Sequence, residues 1–200
     1  MKLKNEHRRE EIINRSRFIA CACPVKNEEN ARAYIDQIRA EFPDATHVCT
    51  AYVTGPGSMI RRSSDNKEPS GTAGVPMLEA ILASGITDVC VCVVRYFGGI
   101  KLGAGGLIRA YSGSVSACLA EAAKTKEVPM DIWAVTYPYS LSGSVESWLR
   151  RNTVIEDISY GEQVTCIFES TLDIENIIRD LSRGSVQAEL LEHTFREVDV

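Results

Sequence analysis

Two α+β domains are what this sequence predicts, and three observations carry that expectation. Helical and strand periodicities alternate along the chain, the stretch from about residue 131 onward reads βαββαβ, and the charge changes sign between the two parts. Residues 1–128 hold 17 Lys+Arg and 14 Asp+Glu, a net +3, whereas residues 129–200 hold 5 and 13, a net −8. A hydrophobic content of 44% over 200 residues suffices for two small cores. The expected domains are therefore 1–126 and 127–200, the second of them ferredoxin-like.

The elements follow in order. Residues 17–25 read as a strand from their apolar content. Asn27, with Glu28 and Glu29 behind it, marks a helix start, and Ala31, Tyr34, Ile35, Ile38 and Phe42 recur at helical spacing until Pro43 ends the run. A strand over 46–54 stops at the turn Gly55-Pro56-Gly57. A polar loop over 63–72 then leads into a short helix presenting Met77, Leu78, Ile81 and Leu82, with Pro76 in its first turn and Gly85 as its C-cap. Residues 89–94 are apolar on both alternating faces and predict a central strand. The next helix aligns Leu107, Tyr111, Val115, Leu119 and Ala122, and residues 124–129 read as a polar linker ending in Pro129.

The second half alternates cleanly. A strand over 131–139 precedes a helix carrying Val145, Trp148 and Leu149. A hairpin turning at Gly161 joins strands over 153–160 and 163–169. A helix with Ile174, Ile177, Ile178 and Leu181 ends at Gly184, and a last strand covers about 186–197. Trp133 and Trp148 fall in apolar stripes and are read as core.

Residues 1–6 are charged and lack the apolar segment of a secretory signal, and no window of about 18 apolar residues occurs. A cytoplasmic protein with no membrane partner is expected. The seven cysteines lie in apolar stretches and read as buried reduced thiols, so neither a metal nor a cofactor is expected. Cys21-Ala22-Cys23 and Cys90-Val91-Cys92 would offer four thiolates only if their strands were neighbours, and structural zinc ordinarily uses wider spacing.

The strongest chemical signal is a strand, a glycine-rich loop and a helix in succession. Gly98, Gly99, Gly103, Gly105 and Gly106 fall within nine residues, and Arg95, Lys101 and Arg109 lie around them, with Tyr96 at the strand's end. Exposed backbone N–H groups at a helix start, flanked by cations, suit a phosphate or carboxylate. Glycines needed only for close packing are the other reading. Nucleotide fingerprints fail: Ala104 and Gly105 stand where a P-loop needs Lys and Ser/Thr, and Ile108 where a dinucleotide loop needs glycine.

A second stretch, Glu68-Pro69-Ser70-Gly71-Thr72, also enters a helix, with Ser70 or Thr72 as cap or as anion ligand. Asp65 and Glu68 could hold a metal or act as acid and base, although two carboxylates in a polar loop are more often solvated. His47 and Cys49 share a strand face without an evident third group to form a nucleophile.

These stretches, Ser64-Asp65 through Gly74 and Arg95-Tyr96-Phe97-Gly98-Gly99-Ile100-Lys101-Leu102-Gly103 onward to Tyr111, together with His47-Val48-Cys49-Thr50-Ala51-Tyr52, closely resemble the signature of the YigZ/IMPACT family. The likeness covers about residues 10–125, and one departure is Asn66-Lys67, where the family usually has Asp-Gly. The resemblance implies a first domain of the ribosomal-protein-type left-handed βαβ superfold, shared with domain IV of elongation factor G, and a ferredoxin-like second domain similar to its domain V. It also implies a link to translation, since the eukaryotic branch binds the activator of a starvation-sensing translation kinase and so restrains that kinase. Two functions are expected from this. One is a non-catalytic module binding RNA, the ribosome or a translation-associated protein through the glycine-rich basic face. The alternative is an enzyme acting on a phosphorylated small molecule or nucleotide, with both glycine-rich loops as phosphate cradle.

Overall fold

A computed structural model describes residues 1–200, and the chain divides into two compact units. Met1–Lys126 together with Asp199–Val200 forms the first, and Glu127–Val198 the second. No helix is long and apolar enough to cross a membrane.

In the first unit, β1 (Lys2–Leu3), β2 (His7–Ile13), β3 (Ser16–Pro24), α1 (Glu28–Glu41), β4 (His47–Thr54), β5 (Ile60–Ser64), α2 (Gly74–Ser84), β6 (Val89–Tyr96) and α3 (Gly103–Glu121) follow one another. Five strands form an antiparallel sheet in the order β2-β3-β6-β4-β5. The central strand β6 is buried from Val89 to Arg95 because both its faces are covered. On one face Cys90, Cys92 and Val94 pack with Ala31, Tyr34, Ile35 and Ile38 of α1. On the other, Val89, Val91 and Val93 pack with Met77 and Ile81 of α2 and with Leu107, Tyr111, Val115 and Leu119 of α3. Leu82, expected on the buried side of α2, is 39% exposed.

Asn27 caps α1 as its sequence suggests, its side chain accepting from the Asn30 N–H at 2.8 Å. β2 and β5 escaped the sequence reading because both are edge strands whose exposed, charged positions mask the alternation. Cys21 faces Cys92 and Cys23 faces Cys90 across the β3–β6 pair, so the two cysteine strands are neighbours. Their thiols are free. Burial pushes the Cys21 thiol up to about 12, which opposes thiolate formation near neutral pH.

The predicted linker over 124–129 is instead the start of a long strand, β7 (Lys124–Tyr137). Lys124 and Thr125 pair with Leu3 and Lys2, and Thr125 is buried, so the N-terminal residues give this polar segment a partner that local composition does not reveal.

The second unit continues β7 through α4 (Val145–Asn152), β8 (Val154–Tyr160), β9 (Val164–Ser170), α5 (Ile174–Leu181) and β10 (Ala188–Asp199). Its sheet runs β10-β7-β9-β8, the strand order of a ferredoxin-like βαββαβ unit. Val145, Leu149, Ile174 and Ile178 from the helices meet Trp133, Val135, Cys166 and Phe168 from the sheet.

Candidate anion-binding face

Both glycine-rich stretches end at helix starts, at the same end of the first sheet. The register places them there: Arg17 lies opposite Tyr96, His47 opposite Arg95, and Thr50 opposite Ser64, just before Asp65.

The first helix start is closed by its own chain. One Asp65 carboxylate oxygen accepts from the N–H groups of Ala73 at 3.0 Å and Gly74 at 2.7 Å, and the other from Gly71 at 2.8 Å. Burial pushes the Asp65 carboxyl up, but the three N–H groups outweigh it and hold its pKa below the usual carboxylate value. Asp65 thus occupies the position where a phosphate would sit at α2. Neither Ser70 nor Thr72 caps this helix. The Thr72 hydroxyl donates back to the Pro69 carbonyl at 2.6 Å, and Ser70 is exposed in the turn.

Below it lies a buried ionic knot. Glu68, expected in solvent, is 8% exposed, and Arg95, expected on the basic face, is 5% exposed. Arg95 Nη1 donates to Glu68 Oε1 at 2.6 Å, the Tyr111 hydroxyl donates to the same oxygen at 2.8 Å, and Arg95 Nη2 reaches Ser16 Oγ at 3.3 Å. The guanidinium also lies 5.4 Å from the Phe18 ring centre and 5.6 Å from that of Phe97. His47 Nδ1–H donates to the Asn66 carbonyl at 2.9 Å and Cys49 Sγ to the Asp65 carbonyl at 3.0 Å. The two residues weighed as a nucleophile pair therefore hold the 65–66 backbone, and burial pushes the Cys49 thiol up to about 12.

The second helix start is open. Leu102 precedes α3 and supplies no side-chain acceptor for its first N–H groups. Lys101 and Arg109 are exposed, and neither meets a carboxylate. Gly98 is held by packing: a Cβ there would lie 1.9 Å from the Arg15 carbonyl oxygen. Gly103, at φ +69°, needs the left-handed conformation to turn the loop into the helix. Gly99 and Gly105 are exposed, while Gly106 is half-buried beside Leu102. Tyr96 is half-buried and donates its hydroxyl to Asp44 at 2.9 Å. A cavity of about 350 Å³ opens between α2 and α3, but its lining, including Ala80, Ser84, Ser116 and Lys124, belongs to neither loop.

Three exposed apolar residues at this tip, Phe97, Ile100 and Ile108, were not singled out from the sequence. Strand and helix periodicity identifies what points inward, and the loop has no period to expose them.

The Impact N-terminal domain matches residues 14–119, which hold the whole of this constellation. The chain belongs to the IMPACT family. The Bacillus subtilis IMPACT family member YvyE is 43% identical over 82% of the chain and 75% of its own length. The Escherichia coli member YigZ is 35% identical over 91% and 93%. A crystal structure of a hypothetical protein, 34% identical, covers 96% of both chains with a TM-score of 0.61. Asn66 and Lys67, where the resemblance led to an expectation of Asp-Gly, both have positive φ, 43° and 67°, a backbone that favours such a pair.

Proposed function

We propose that this IMPACT-family chain is a non-catalytic, translation-linked regulatory module that binds RNA, free or in the ribosome, through Lys101, Arg109 and the open start of α3. The observation that carries it is the contrast between the two helix starts. An enzyme using both loops as phosphate cradles needs both N-termini free, and Asp65 already fills that of α2. Glu68 is engaged by Arg95 and Tyr111 and Cys49 is held as a thiol, so the nearby candidates for base and nucleophile are occupied in structural roles. What remains is an exposed loop with backbone donors and two uncompensated cations, which suits a polyanion. The link to translation rests on the family resemblance.

The test is binding of RNA and of purified ribosomes across a salt series. Lys101→Ala and Arg109→Ala are each expected to lower affinity about fivefold at 0.1 M salt and to flatten the logarithmic salt slope by about one. Variants that fold and bind both as the parent does would remove this reading.

A further inference from the structure

Two tight turns flank the open loop, and both break the usual residue preference in the same way. Asn14-Arg15 joins β2 to β3, with Ile13 paired to Ser16 and φ values of 44° and 65°. Asn66-Lys67, at 43° and 67°, is closed by the Glu68 N–H donating to the Asp65 carbonyl at 2.9 Å. Positive φ at both central residues makes each a type I′ turn, in which asparagine followed by glycine is preferred because a Cβ at the second position is strained. In each, the chain keeps the asparagine and puts a cation where glycine would be favoured.

Both cations are exposed, and neither joins an ion pair. The turns touch the site: the Arg15 carbonyl abuts Gly98, and the Asn66 carbonyl takes the His47 N–H. The acids nearby are already engaged, Asp65 by backbone N–H groups, Glu68 by Arg95, Glu10 by Arg17 and Asp44 by Tyr96. A strained position kept by a charged residue at a candidate site points to a role outside the turn itself.

We propose that Arg15 and Lys67 extend the face formed by Lys101 and Arg109, and that its ligand is an RNA strand offering successive phosphates rather than a metabolite with one or two. This rests on the reading of α3 given above. Four cations on three backbone segments, the two turns and the loop that runs into α3, match phosphates spaced along a strand, whereas a single phosphate needs donors that converge.

The experiment measures thermal unfolding and binding of a short labelled oligouridylate, over a salt series, for the full chain carrying Arg15→Gly or Lys67→Gly. Glycine relieves the left-handed strain, so each variant is expected to melt about 2 °C higher. Each is also expected to bind about fivefold more weakly at 0.1 M salt, with a slope shallower by about one. Opposite signs for stability and binding separate a lost contact from a damaged fold. Should glycine lower the melting temperature, Arg15→Asn and Lys67→Asn, which also tolerate positive φ, give the same binding readout. Parental binding by the turn variants, with Lys101→Ala and Arg109→Ala still weakened, overturns this proposal and leaves the α3 reading standing. Parental binding by all four overturns both.

Discussion

Residues 68–74 and residues 95–106 both carry glycines and small residues into a helix start, and in the sequence they look like two versions of one site. In the fold, the first is filled by the Asp65 carboxylate and packed over a buried Arg95–Glu68 pair, while the second presents α3 without a cap beside two unpaired cations. The difference is made by a residue outside the shorter motif. Asp65 lies six to nine positions before the N–H groups it binds, and whether a glycine-rich helix start is an anion site depends on whether such an internal anion reaches it first.

The largest expected effect comes from breaking the buried pair. Glu68→Ala leaves the Arg95 guanidinium without its carboxylate in a site that excludes water, and a loss of about 3–5 kcal/mol in the stability of the first unit is expected in denaturant unfolding. A loss below about 1 kcal/mol would mean that water reaches Arg95 and that the closed side is less closed than described.

Asp65→Ala is expected to cost less, about 1 kcal/mol, the value of a helix cap. Its pH dependence has a definite sign. The folded carboxyl has its pKa below that of the unfolded chain, so the stabilisation is complete above the unfolded value of about 3.9 and is lost as pH falls through the lower folded value. The stability gap between parent and variant should therefore be flat near neutrality and close in acid. The variant also uncaps α2, and inorganic phosphate should then stabilise it more than the parent.

How much of this was legible beforehand depended on periodicity. Tyr34, Ile35 and Ile38 repeat at helical spacing and pack where that spacing puts them, and the second unit's alternation matches the βαββαβ order of its elements. Lys124 and Thr125 show the limit, since a polar stretch becomes strand only because Lys2 and Leu3 come back to pair with it. The site failed in the same way at Arg95 and Glu68. Each looks like a solvated charge in its own segment, and each is buried because the partner arrives from 27 residues away. Lys101 and Arg109, whose placement needs no distant partner, stand exposed beside the glycine loop as their sequence context suggested.

The measurement that tests the contrast most directly is a backbone amide titration of the whole chain with a short RNA, followed by nuclear magnetic resonance. Progressive shifts are expected for the amides of Gly99 and Gly103 to Gly106, with Gly71, Ala73 and Gly74 unmoved because Asp65 holds them. Shifts at Gly71, Ala73 and Gly74 equal to or larger than those of the α3 loop would contradict it.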